Sequence, residues 1–305
     1  MFTNDFELIL ASHNGNIDFF TLELAVQGSD ISLFDLLFRE LNMRLSRVSR
    51  QLSGCLSGVI FPLLPTFNNN YYHWVVEYLP QLRMLELYER RASIQPKILI
   101  REDSPSFVRE SLSLLGYGSD RYEEWKGGDR VIETLITTNR RFHEPQLGYH
   151  HSIDDYNWLR NKAQRRMQGL GRRESHSRLF ISRQNADKER NVRNYEKLMS
   201  ELEQRGFKSV VLESLPFKQQ VRLFMEADAI LGPHGAGLAK LVFADEVQIF
   251  ELLPETRLRP DFYLLADVMG HDYRCMVSPT DEGGNMTIDI ETLRERLNEM
   301  GLTRI

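Results

Sequence analysis

The run ADAILGPHGAGLAKLVFADEVQIFELLP, residues 227–254, decides the fold class. Ala229 to Gly232 is short, apolar and closed by glycine, which reads as a buried strand. Gly235 to Phe243 follows as a helix, and Val247 to Leu252 is the next strand. The same alternation extends outward. Upstream lie a strand at Arg178 to Ser182, a helix at Asn191 to Arg205, a strand at Lys208 to Leu212, and a helix at Pro216 to Ala227 with proline at its first position. Downstream, Pro260 to Met269 reads as a helix and Tyr273 to Val277 as a strand. Short, continuously apolar strands separated by amphipathic helices predict a parallel sheet covered on both faces, a Rossmann-like half.

The other half is less regular but similar in kind. Its candidate strands are Phe6 to Leu10, Ile17 to Leu24, Val59 to Leu64, Lys97 to Arg101 and Val131 to Thr137. Its candidate helices are Leu33 to Arg44, Asn70 to Tyr88 and Ser106 to Leu115. Ser152 with Asp155 three residues on opens a further helix, whose acidic start and late Arg165 and Arg166 suit the helix dipole. A chain of 305 residues has the length of two domains, and the boundary is placed near this helix. That gives an acceptor-side domain over 1–160 and a C-terminal domain over 161–305, with a last helix at Ile290 to Met300 able to pack back across the first.

Composition excludes several classes. Hydrophobic residues at 42%, charged residues at 27% and a mean hydropathy of −0.39 belong to a soluble globular protein. Met1 to Leu10 carries Asp5 and Glu7 and no basic residue, unlike a secretory signal. The longest apolar stretch, Val59 to Leu64, is interrupted by Pro62, far short of a membrane span. The expected location is the cytoplasm, with peripheral membrane association left open. Cys55 and Cys275 lie 220 positions apart without CxxC spacing, so both are expected reduced and buried. A net charge of −5 argues against nucleic acid as a partner, but it conceals a dipole. Residues 160–193 hold eleven basic and three acidic side chains, +8, leaving −13 for the remainder.

Three features carry chemistry. In the turn GPHGAGL (232–238), glycines let the backbone approach a ligand, and the free N–H groups of Gly235, Ala236 and Gly237 suit a phosphate. Lys240 stands where a dinucleotide fingerprint would have its third glycine, and a turn whose glycines only ease packing would look similar. His234 inside the turn sits at the carboxyl end of a parallel strand, where open α/β sheets bind ligands. Arg183 follows the strand RLFIS, and Arg190 and Arg193 stand before the next helix, so the basic segment points to the same crevice. The third feature is NYYHWVVEYLPQLRMLELY (70–88), which on a helical wheel places Asn70, His73, Glu77 and Gln81 together opposite an apolar face. A solvated stripe would also fit. The i, i+4 pairing of imidazole and carboxylate instead suits a base, and Pro80 removes the hydrogen bond to the Val76 carbonyl, predicting a kink. His143, His150 and His151 lack partners at metal-ligand spacing and read as a solvated loop.

With these residues in view, the chain resembles glycosyltransferase family 61, which includes capsular-polysaccharide enzymes and eukaryotic xylosyl- and N-acetylglucosaminyltransferases. The resemblance rests on NYYHWVVEYLPQL (70–82), ISRQNADKERNVRNYEKL (181–198) and the run from Leu215 to Glu251. Arg183, Arg193 and Asn194 fall on the family's arginines and asparagine, while Tyr195 intervenes before Glu196 and Lys240 replaces a usual Asn. The resemblance implies an α/β, GT-B-like fold, two Rossmann-like domains facing across a cleft, with a nucleotide-sugar on the C-terminal one. It also implies no tightly bound metal or other cofactor, and the chain holds no Asp-x-Asp pair. The expected activity is inverting transfer from a nucleotide-diphosphate sugar, a UDP-sugar first among them, to a glycan hydroxyl in polysaccharide biosynthesis. His73 is the expected base, with Glu77 its orienter or the alternative base, and Asn70 the acceptor contact. Arg183, Arg193, Asn194, His234 and the 235–237 amides are expected on the donor, Glu251 on its ribose and Glu213 beside its nucleobase. An oligomer is compatible with this reading. Two rivals are a non-catalytic scaffold of the same fold and a nucleotide-sugar epimerase.

Overall fold

The computed structural model describes residues 9–11, 55–65, 70–127, 131–138, 151–167, 177–184 and 190–305. The strand expected at 17–24, the helix expected at 33–44, His143 and His150 lie outside them. The chain divides into two compact units, each discontinuous in sequence. The first comprises Met1–Asn68, Met84–Ser104 and Tyr117–Arg140; the second comprises Asn69–Arg83, Pro105–Gly116 and Arg141–Ile305. The α/β class with two largely parallel sheets is as the sequence predicts.

In the first unit, strands β1 (Ile9–Ala11), β2 (Cys55–Pro62), β3 (Lys97–Arg101), β4 (Tyr122–Trp125) and β5 (Val131–Thr137) form a sheet of order β1-β5-β2-β3-β4. Only β1 runs antiparallel. Ile60, Leu99, Ile132 and Leu135 make its apolar cluster. β4, YEEW, escapes the sequence reading because Glu123 and Glu124 are exposed and leave no apolar run.

The second unit carries the all-parallel sheet. Strands β6 (Ser177–Ile181), β7 (Phe207–Val210), β8 (Ala227–Pro233), β9 (Gln248–Pro254) and β10 (Asp272–Ser278) are ordered β10-β9-β8-β6-β7. The chain therefore reverses its direction of travel between β6 and β8, a topological switch point. Helices α1 (Tyr71–His73), α2 (Leu82–Ala92), α3 (Ser106–Leu114), α4 (Ile153–Met167), α5 (Tyr195–Glu203), α6 (Phe217–Glu226), α7 (Asp261–Met269) and α8 (Ile290–Glu299) complete the labelled elements. Cys275, expected buried, is exposed, because it lies on the edge strand β10. Among the described residues no helix is long and apolar enough to cross a membrane.

The last helix packs into this unit's own core. Leu293 and Leu297 pack with Leu198, Leu202, Phe180 and Phe207. A buried ionic cluster reinforces the seam: Glu201 Oε1 accepts from Arg205 Nε at 2.8 Å, and Oε2 accepts from Arg294 Nη2 at 3.0 Å and Arg304 Nη2 at 2.8 Å. Arg205 also donates to Asn298 Oδ1 at 2.8 Å and to the Leu302 carbonyl at 2.6 Å. Burial alone would raise the Glu201 carboxyl, but the hydrogen bonds from the three arginines outweigh it and hold the group at about 2. The stability this contributes is complete above the ordinary carboxyl range and disappears as the pH falls toward 2. Glu201→Gln is accordingly expected to cost about 3–5 kcal/mol at pH 7, leaving the buried Arg205 without its carboxylate. Urea unfolding across pH should show the gap between the two proteins shrinking as acid protonates Glu201.

Candidate functional site

The carboxyl ends of β6 and β8, at the switch point, bring the basic segment and the glycine turn together. A Cβ built on Gly232 would lie 3.0 Å from Ile181 Cβ and 3.2 Å from the Ile181 carbonyl oxygen, so any larger residue there needs the β6 edge to give by a few tenths of an ångström. At Gly235 a Cβ would come 2.5 Å from Arg183 Nη1: the guanidinium occupies the space that a side chain would fill. Arg183 makes no hydrogen bond among the described residues, and its Nε is buried without a partner. Burial lowers its pKa from the ordinary arginine value, with the charge of the exposed Glu213 pulling the other way. Arg190 completes this side by donating from Nη1 to the His234 carbonyl at 3.1 Å. After the turn the chain runs as a 3-10 helix over Ala236–Phe243. Such a helix presents its first N–H groups to whatever lies before it.

His234 is buried and held at both ends. Its Nδ1 lies 2.6 Å from Glu251 Oε1, and Tyr273 donates its hydroxyl to Glu251 Oε2 at 2.5 Å. Burial, then the Glu251 charge, raises the Tyr273 phenol far above its ordinary value, so it remains a donor. Glu251 has no exposed surface and both its oxygens are engaged. A ribose contact is therefore closed to it; it fixes the His234 ring instead. His234 Nε2 faces Asp261 Oδ2 at 4.0 Å, and its ring lies 5.2 Å from that of Phe262.

The His73 segment belongs to the same unit. Asn70 Oδ1 caps it, accepting from the N–H groups of Tyr72 at 3.1 Å and His73 at 3.4 Å. His73 Nδ1 lies 2.5 Å from Glu77 Oε1. With Glu77 ionised its carboxylate only accepts, so Nδ1 is the donor and Nε2 the acceptor nitrogen of the ring. The expected single helix is interrupted where proline demands it. Residues 74–78 form a π-turn, in which Leu79 N–H bonds the Trp74 carbonyl, and 79–81 tighten to a 3-10 turn before α2. The carbonyl that Pro80 deprives of its donor, Val76, accepts instead from the Tyr156 hydroxyl at 3.3 Å. Gln81 Nε2 reaches back to the Glu77 carbonyl at 3.0 Å. Two aromatic contacts tie the segment to the turn: Tyr71 lies with its ring centroid 4.0 Å from Lys240 Nζ, and Tyr72 meets Phe262 edge-on at 5.7 Å.

Not every expected residue converges. Arg193 is exposed and pairs with Asp281 at 2.5 Å. Asn194 spends its amide on Ile288, donating to the carbonyl at 2.7 Å and accepting from the N–H at 2.9 Å. Tyr72, Asp261, Phe262 and Tyr273 were missed by sequence reasoning, since aromatic and acidic residues on core-forming elements carry no local signal. His151, read as part of a solvated loop, bonds the Tyr156 hydroxyl through Nδ1 at 2.6 Å.

Residues 71–249 match the family model Glycosyltransferase 61, more than half of the chain. The chain belongs to glycosyltransferase family 61. A β-1,2-xylosyltransferase of Arabidopsis thaliana is 35% identical over 92 residues, 30% of this chain and 17% of that relative. The aligned part thus spans well under two thirds of the relative's length. Among solved structures, the iron-containing dodecameric glycosyltransferase TibC from enterotoxigenic E. coli H10407 aligns with a TM-score of 0.35 and 11% identity, covering 69% of this chain and 63% of that one. A second structure, the dodecameric iron-containing heptosyltransferase TibC in complex with ADP-D-β-D-heptose, gives 0.37 and 10%, covering 69% and 61%. The glycosyltransferase 61 match takes in His73, Glu77, Arg183 and the whole glycine turn, while Glu251, Asp261 and Tyr273 lie beyond it. Among the described residues no three His, Cys, Asp or Glu side chains gather as a metal site.

The seam at Pro80 gives a direct test. Tyr156→Phe leaves the Val76 carbonyl without its donor and is expected to cost about 1–2 kcal/mol in urea unfolding. Adding Pro80→Ala, which restores an N–H to the helix, should recover part of that loss.

Proposed function

We propose that the protein is an inverting glycosyltransferase that moves a sugar from a nucleoside-diphosphate donor to a hydroxyl of a glycan acceptor in polysaccharide assembly. The observation that carries this reading is Arg183. A half-buried guanidinium with no hydrogen-bonded carboxylate among the described residues lies against Gly235, at the switch point of a doubly wound sheet. An incoming diphosphate supplies the missing negative charge, and the first N–H groups of the 236–243 helix complete its cradle. Protein groups rather than a metal ion then balance the leaving group. A UDP-sugar is the first donor to test, and the name of the plant relative puts UDP-xylose at the head of the series. The cytoplasm is the proposed site of action.

In the proposed reaction, His73 Nε2 takes the proton of the acceptor hydroxyl while that oxygen bonds to the anomeric carbon. The bond from this carbon to the diphosphate oxygen breaks, and its electron pair leaves with the diphosphate toward Arg183 and the 235–237 amides. Glu77 holds the His73 tautomer, and the same logic makes Glu251 and Tyr273 positioning residues for His234. Asn70, whose Nδ2 makes no hydrogen bond among the described residues, offers a donor to the acceptor. Arg193, tied to Asp281, reaches a donor only by exchanging that partner.

Two variants separate the roles. His73→Ala is expected to abolish transfer while UDP binding in calorimetry persists. Arg183→Ala is expected to raise the Kd for UDP by about 10–100-fold, the worth of a charged hydrogen bond. A fully active His73→Ala protein removes that residue as base. Epimerisation of a UDP-sugar without any acceptor, as opposed to its slow hydrolysis, replaces the transferase by an epimerase.

A further inference from the structure

Lys240 lies on the helix that begins at the glycine turn, one residue beyond its first turn, and its side chain is buried. It forms no ion pair or hydrogen bond among the described residues. Its ammonium rests 4.0 Å from the Tyr71 ring centroid and 5.9 Å from that of Phe224. A buried amine with aromatic faces for company and no counter-ion is expensive to keep charged. The carboxylate whose charge acts on it is Glu213, and the same charge acts on Arg183. The arginine at the turn and the lysine behind it therefore share one acidic neighbour, Glu213. Three charged groups around this helix have partners of their own. Arg160 of α4 donates to the Ala244 carbonyl and Asp245, Asp261 of α7 pairs with Arg259, and Glu110 of α3 accepts from the Phe217 N–H.

We propose that Lys240 is a positioning residue of the donor site that acts through charge at a distance, taking up a proton when a diphosphate settles on the glycine turn. The inference rests on the donor reading above and adds a proton to it. Burial lowers the amine to about 7, with Glu213 pulling the other way. At pH 8 the free protein therefore holds it mostly neutral. An anion one helical turn away favours the ammonium, and the Tyr71 ring is already placed to receive it. Donor binding would thus firm the contact between the glycine-turn helix and the segment that bears His73.

Calorimetric titration of the whole protein with UDP at pH 8, in buffers of differing ionisation enthalpy, reads the protons bound. The wild type should take up roughly half a proton or more per UDP. Lys240→Met should bind UDP with no uptake. Lys240→Arg, charged at every pH used, should also show no uptake but keep an affinity at least equal to wild type. Thermal unfolding checks that both variants fold, and the Met variant decides the matter if the Arg variant does not. UDP binding by the wild type without proton uptake, or unchanged uptake in Lys240→Met, overturns the proposal and leaves the donor reading standing. No binding of UDP, ADP, GDP or CDP overturns both.

Discussion

Gly232 and Ile181 lie so close that a methyl group on the glycine would be 3.0 Å from Ile181 Cβ and 3.2 Å from its carbonyl oxygen. Strands β6 and β8 are therefore in contact to their carboxyl ends, and everything functional hangs from those two ends. From the end of β6 comes Arg183; from the end of β8 come His234 and the helix start at Ala236. A larger residue at 232 would press on β6 at the point where the sheet reverses direction. The charge that a ligand would meet depends on a packing constraint between apolar strands.

A second constraint brings the base candidate to this sheet. Chain order puts residues 70–82 far from 178–254, and the compact units instead place both in one body. The means are local and physical. Pro80 frees the Val76 carbonyl, and Tyr156 of α4 takes it; Trp74 donates its indole N–H to Ser111 Oγ of α3 at 2.8 Å; Tyr71 covers Lys240. A helix that would be self-sufficient without proline thus acquires outward-facing bonding groups, which the neighbouring helices satisfy. His73 and Glu77 lie inside this irregular stretch, so their spacing is set by the partners of the segment as well as by helical geometry.

The parallel sheet was legible because its strands are apolar and short and its helices periodic. RLFIS, AILG and VQIFEL each appear within two or three residues of where the sequence places them, and Lys97 to Arg101 and Val131 to Thr137 coincide fully. The His73–Glu77 pair was legible from spacing alone. What escaped shares one cause: partners supplied by distant chain. Glu251 reads as an exposed strand-end acid until Tyr273, from the neighbouring strand, and His234 claim its two oxygens. Arg193 and Asn194 look like ligand residues, but the loop before α8 provides Asp281 and Ile288 to occupy them. Cys275 looks like a core residue until the sheet order puts it on an edge.

In the proposed reaction the glycine turn seats a diphosphate and Arg183 is its first counter-charge. A crystal structure of the protein with UDP tests that claim most directly. The account expects the two phosphates within hydrogen-bonding distance of the 235–237 amides and of the Arg183 guanidinium, with Glu251 still closed by His234 and Tyr273. A nucleotide seated elsewhere, with the turn empty and Arg183 unmoved, would contradict it.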